Sequence, residues 1–88
     1  MTDKEEAVII KGLVDFIFRS NYSNSFDRNS IPLDESLIEI GVLDSYGIIE
    51  LIEFIELTWS IVIEDDEITK EKMGSINRMT QLIYSKLS

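Results

Sequence analysis

Apolar residues recur at steps of three and four in three stretches of this chain. In the first, Ile10, Leu13, Val14 and Ile17 form one stripe with Lys4, Lys11 and Asp15 outside it, which predicts an amphipathic helix from about Asp3 to Ser20. Thr2 and Glu5 have capping-box spacing at its start. In the second, Ile48, Leu51, Ile52, Ile55 and Trp59 predict a helix from about Ser45 to Ser60 with one buried face. Glu50, Glu53 and Glu56 step along another face of that helix. In the third, Ser75 caps a helix to about Leu87, with Ile76, Met79, Leu82 and Ile83 inward.

The connections are uneven. From Asn21 to Leu43 the chain is rich in turn formers: Asn21, Ser23, Asn24, Ser25, Asp27, Asn29, Ser30 and Pro32. Its second half carries Leu37, Ile40, Val42 and Leu43, which are too apolar for a free loop and are expected on the core. Ile61-Val62-Ile63 looks strand-like, but no second strand pattern exists to pair with it, so it is expected to be an extended link that plugs apolar side chains into the bundle. Glu64 to Glu67 forms an acidic turn, and Thr69 can cap a short helical turn that runs through Met73 and ends at Gly74. The expected fold is all-α: one domain over residues 1–88, a small bundle of three main helices plus one short helix, with a long loop after the first helix.

Composition sharpens this picture. A chain of 88 residues makes one domain with a modest core. At 44% apolar it suits a folded domain rather than a disordered acidic tail. The net charge is −9, and eleven acidic residues and no basic one lie between Asn29 and Thr69. Such a surface repels nucleic acid and anionic lipid and attracts basic protein surfaces. Tyr22, Phe26, Trp59 and Tyr84 are not interleaved with basic residues, which argues further against nucleic acid. The first residues are polar, unlike a secretory leader, and no apolar run approaches the ~20 residues of a membrane helix. The expectation is a soluble, cytoplasmic, monomeric domain with no membrane span.

The chain has no cysteine and no histidine, so it lacks thiolate chemistry and the usual neutral-pH base. Ser45 therefore has no partner that would make it a catalytic nucleophile; Lys70 and Lys72 lie far along the sequence. The protein itself is not expected to be an enzyme. Glu64-Asp65-Asp66-Glu67 lacks the ordered spacing of a calcium loop and is expected to be a solvated turn rather than a metal site. Ser45 has two compatible readings. Asp44-Ser45 suits a helix N-cap, and a hydroxyl at a helix N-terminus is also well placed to bear a phosphodiester, because the free N–H groups and the helix dipole favour phosphate. The glutamates at 50, 53 and 56 form either a solvated face or a docking face.

Leu37 to Asp65 resembles the acyl, peptidyl and D-alanyl carrier-protein family. The resemblance rests on Gly41, Asp44-Ser45, Ile49-Glu50-Leu51, Glu56 and Trp59, followed by Ile63, Asp65 and Ser75-Ile76. Helix order and spacing fit over nearly the whole chain. The distance from Gly41 to Ser45, together with Gly47, looks most like stand-alone D-alanyl or aminoacyl carriers. Tyr46 departs from the pattern, standing where leucine or methionine is usual. Phe54 and Leu57 stand where members often have small or polar residues; Phe54 is expected in the core, while Leu57 fits either core or a docking surface.

The resemblance implies a 4'-phosphopantetheine arm on Ser45, flanked by Asp44, with Tyr46, Glu50 and Glu53 facing partners. Those partners would be a phosphopantetheinyl transferase and an acyl- or aminoacyl-activating ligase or synthase with a basic docking patch. The cargo would be an acyl or aminoacyl thioester. The alternative is an acidic helical interaction or inhibitor module that is never modified and covers a basic protein surface.

Overall fold

The computed structural model describes residues 4–19 and 30–87, with the side chains of Lys4 and Ser45 outside that description. Among the described residues four α-helices follow one another: α1 (Lys4–Arg19), α2 (Ser45–Trp59), α3 (Lys70–Met73) and α4 (Ile76–Leu87), with a 3-10 turn at Asp65–Glu67 before α3. No strand occurs among the described residues. The fold is the all-α bundle of three main helices and one short one that the periodicity predicts. The expected cap at Thr2 and the first part of the expected long loop, Asn21 to Asn29, lie outside the described residues.

The core is one cluster. Ile9, Leu13, Val14 and Ile17 of α1 meet Leu51 and Ile55 of α2 and Ile76, Met79 and Ile83 of α4, with Met73 of α3 and Ile63 of the link closing it. α1 packs chiefly against α4, and α2 lies against both. Leu37, Val42 and Leu43 of the loop before α2 are buried, as expected; Ile31 is also buried and Ile40 is half-buried.

That loop is stitched down by its backbone. Leu37 donates to the Gly74 carbonyl at 2.9 Å, and Val42 and Leu43 both donate to the Leu37 carbonyl, at 2.9 and 3.1 Å. Asn77 of α4 donates its backbone N–H to Leu33 O at 2.9 Å and its side-chain amide to Asp34 at 2.6 Å. A Glu39–Lys70 ion pair joins the same loop to α3. The chain reverses at Gly41, whose φ of 81° lies in the region that side chains disfavour. This fixes the direction in which Val42 and Leu43 enter the core just ahead of α2.

Phe54, expected in the core, is half-buried in an aromatic group on the α1 side of α2. It stacks on Phe16 with centroids 4.6 Å apart and meets Trp59 edge-on at 5.9 Å, with the Arg19 guanidinium 5.8 Å from its ring centroid. Trp59 is half-buried rather than fully inward. The link plugs the bundle only in part: Ile63 is buried and Ile61 half-buried, but Val62 points outward at 62% exposure. Alternation along an extended backbone forces this, since neighbouring side chains cannot both face the core.

Candidate functional site

The start of α2 is built by Asp44. Its backbone is extended, with φ −104° and ψ −175°, and its Oδ1 accepts the Gly47 N–H at 2.7 Å. The Asp44 carbonyl accepts the Ile48 N–H at 3.0 Å and so opens the helical ladder. Asp44, not Ser45, is therefore the N-cap; Ser45 is the first residue of α2. The correction has a simple cause. Both residues are good caps, but only the one in extended backbone ahead of the first turn can fold its oxygen back onto an orphan N–H. No acidic residue occupies the first turn of α2 and no basic residue its last, so Asp44 at the cap is the nearest charge to the positive end of the helix dipole.

The other sequence-predicted site residues fall on the outer side of the same helix. Tyr46 is 68% exposed. Glu53 is exposed and Glu50 half-buried. Steps of four, three and four carry the line from Tyr46 through Glu50 and Glu53 to Leu57, opposite the buried Leu51 and Ile55. Glu56 leaves this set, because its Oε2 accepts the backbone N–H of Ile63 at 2.9 Å and holds the link against the last turn of α2.

Two exposed apolar residues of α2 lie on the same side: Ile49, which the sequence pattern does not single out as outward, and Leu57 at 83% exposure, for which core and docking surface were both open; Val62 of the link is exposed as well. Periodicity alone does not single them out. α2 is apolar around most of its circumference, so a search for the buried stripe accepts any leucine or isoleucine as inward. The available signal was register: Leu57 lies eleven residues from Tyr46, three helical turns plus a fraction, and so shares its face.

An apolar cleft of about 240 Å³ lies between the loop before α2 and α3, lined by Ile38, Ile48, Ile68, Met73 and Gly74. Ile48 belongs to the turn of α2 that follows Ser45. The Glu39–Lys70 pair stands among its lining residues.

The acidic turn after the link is more ordered than a solvated run. Glu64 and Glu67 form a reciprocal capping box about the 3-10 turn, with the Glu64 N–H donating to Glu67 Oε1 at 2.9 Å. Lys86 of α4 reaches the same oxygen at 2.7 Å, and both side chains are largely covered, at 22% and 17% exposure. The Lys86 hydrogen bond above all, with the Glu64 N–H second, holds the Glu67 carboxyl below its ordinary value. Glu64, Asp65 and Asp66 remain exposed. Among the described residues no group of three potential ligands is placed to hold a metal ion, and no helix is long and apolar enough to cross a membrane.

The chain matches no protein-family model, no curated protein and no solved structure.

Proposed function

We propose that this chain is a carrier domain in which Ser45 bears a 4'-phosphopantetheine arm. The observation that carries the reading is the Asp44 cap: it fixes Ser45 as the first residue of α2, at the positive end of the helix dipole. Supporting it are the run from Gly41 through Leu51, the segment over residues 33–43 stitched down ahead of α2 and the outward acidic face.

Asp44 occupies the Gly47 N–H, which leaves the N–H groups of the first helical residues without intrahelical acceptors, a setting that suits a phosphate ester. The arm, once attached, supplies a terminal thiol that carries an acyl or aminoacyl group as a thioester. In the attachment, the Ser45 oxygen becomes an ester oxygen of the phosphodiester and coenzyme A loses its nucleotide half. With no histidine in the chain, the base for that step belongs to the transferase. Tyr46, Glu50 and Glu53 face the transferase and the loading ligase or synthase, whose surfaces are basic. The cleft that begins at Ile48 offers shelter to a short apolar group.

Intact mass after incubation with coenzyme A and a broad-specificity phosphopantetheinyl transferase tests the reading. The wild-type chain gains one phosphopantetheine, and Ser45→Ala gains none while remaining folded. No gain in the wild type leaves the unmodified acidic interaction module as the function; a gain in Ser45→Ala moves the attachment point.

A further inference from the structure

We infer that the recess between the loop ahead of α2 and the corner of α3 with α4 binds a free cationic α-amino acid of the lysine type. The site uses neither Ser45 nor the outward face of α2, so it stands or falls apart from the carrier reading.

The recess holds about 410 Å³, within the size of small-molecule sites. One wall is the loop, with Asp34, Glu35 and Glu39; the other is helical, with Lys70, Glu71 and Arg78. The walls are bridged twice. Glu39 pairs with Lys70, and Asp34 accepts the side-chain amide of Asn77 at 2.6 Å. Glu35, Glu71 and Arg78 differ from these: all three are exposed, and none has an ion-pair partner among the described residues.

Arg78 is also held in place. Its backbone N–H donates to the Oγ of buried Ser75 at 3.2 Å, and its Nη1 donates to the Glu71 carbonyl at 2.8 Å. One N–H of the guanidinium is thus spent on orienting the group, and the others are unclaimed by the described residues. A planar fork fixed in this way suits a carboxylate, which it meets with two parallel hydrogen bonds.

The charge inventory names the ligand. Two unanswered carboxylates and one unanswered guanidinium call for two cations and one anion on a single small molecule. A cationic α-amino acid carries that set: its carboxylate meets Arg78, and its two cationic groups meet Glu35 and Glu71. A simple anion is opposed by the net charge of −9 and by the four carboxylates of the lining. A diamine sets a like charge against Arg78, and a neutral amino acid leaves one carboxylate unanswered. The same field draws a ligand with one net positive charge inward. Because the three groups are exposed, each pair contributes little, and a dissociation constant of about 1 mM is expected.

Amide shifts of the isotope-labelled full chain, titrated with L-lysine, L-alanine and cadaverine at one ionic strength, test this. L-Lysine should give saturating shifts at residues 34–40 and 70–78. L-Alanine should bind about fivefold more weakly, the scale of one exposed pair, and cadaverine should also bind more weakly than L-lysine. Glu35→Gln and Glu71→Gln should each weaken L-lysine by about threefold. Arg78→Gln should weaken L-lysine but leave cadaverine bound at least as well. That variant also loses the bond to the Glu71 carbonyl, so Glu35→Gln decides should it fail to fold. L-Lysine should raise the melting temperature above that in matched sodium chloride.

Shifts that never saturate, cadaverine binding as tightly as L-lysine at the same residues, or indifference of L-lysine to Glu35→Gln would overturn the inference and leave the recess a solvated set of charges. Saturating shifts centred on α2 would overturn it as well. A chain that binds L-lysine here but takes up no phosphopantetheine keeps the site and loses the carrier reading; one that is modified but does not distinguish the three ligands does the reverse.

Discussion

Glu56 and Ile63 are joined by a hydrogen bond from the Ile63 backbone N–H to the Glu56 carboxylate at 2.9 Å. The bond crosses the left-handed reversal at Ser60 and satisfies an N–H that is partly covered as the chain leaves α2. It separates Glu56 from Glu50 and Glu53, which the sequence places in the same stepping series.

Glu56→Ala is therefore expected to destabilise the fold by about 1–3 kcal/mol, the range for a lost bond to a charged acceptor that strands a covered donor. Glu56→Gln keeps an acceptor and should cost less. Glu53→Ala, at an exposed position, should stay within about 0.5 kcal/mol of wild type. Urea denaturation of the three variants measures all of this, and equal losses at 53 and 56 would remove the distinction between them.

Capping is also separable from modification. Because Asp44 accepts the Gly47 N–H, Asp44→Ala should cost about 1 kcal/mol of stability. Ser45→Ala lacks that loss, since the serine is already inside the helix. Thermal melts of the two unmodified variants decide: a larger loss at Ser45 than at Asp44 would return the cap to the serine.

The helices were legible because their buried residues keep a 3.6-residue period over several turns, as Leu51 and Ile55, and Ile76, Met79 and Ile83, show. Asp44-Ser45 was legible as a helix start, but not which of the two caps it, because propensity does not distinguish adjacent good caps. The 3-10 turn at Asp65–Glu67 was hidden because its capping box is built from two glutamates, Glu64 and Glu67, where serine or threonine usually opens one. The Lys86–Glu67 pair was hidden because nothing local links residues that far apart in the chain. The apolarity of α2 as a whole left Leu57 open between core and surface, and the helix turns it outward.

The two helix ends that sequence reasoning treats most simply are inverted. α2 ends at Ser60 with φ 54° and ψ 45°, the conformation glycine favours, while the glycine that ends α3, Gly74, has an ordinary right-handed φ of −73°. Gly74 is needed for another reason: a Cβ there would lie 2.3 Å from the Lys70 carbonyl oxygen, and its own carbonyl accepts the Leu37 N–H. Ser60→Gly should therefore stabilise by roughly 0.5–1 kcal/mol, the left-handed penalty less the entropy that glycine adds to the unfolded chain. Gly74→Ala should destabilise, because the backbone must shift where the loop is stitched to α3. Denaturation midpoints test both signs; a gain from Gly74→Ala would mean that α3 relaxes freely.

The last prediction sets two electrostatic effects against each other. The excess of acidic side chains makes the folded state repel itself at neutral pH, so mild acidification or added salt should raise the melting temperature of the unmodified chain. Glu67 acts in the opposite sense. Its folded pKa lies below the ordinary 4.5, chiefly because of the hydrogen bond from Lys86, so its contribution is complete above the unfolded value and vanishes as pH falls through the folded one. Melting temperature should therefore climb from neutral pH, pass through a maximum near the ordinary carboxyl range, and fall below it as the Glu67–Lys86 pair is lost. Lys86→Met should lower the melting temperature at neutral pH and flatten the acidic fall. Sodium, magnesium and calcium chlorides at matched ionic strength should raise it similarly, because Glu64, Asp65 and Asp66 are exposed and Glu67 is already engaged. A large calcium-specific rise that saturates at low concentration would show instead that Glu67 exchanges Lys86 for a metal ion, and the turn before α3 would become a binding site.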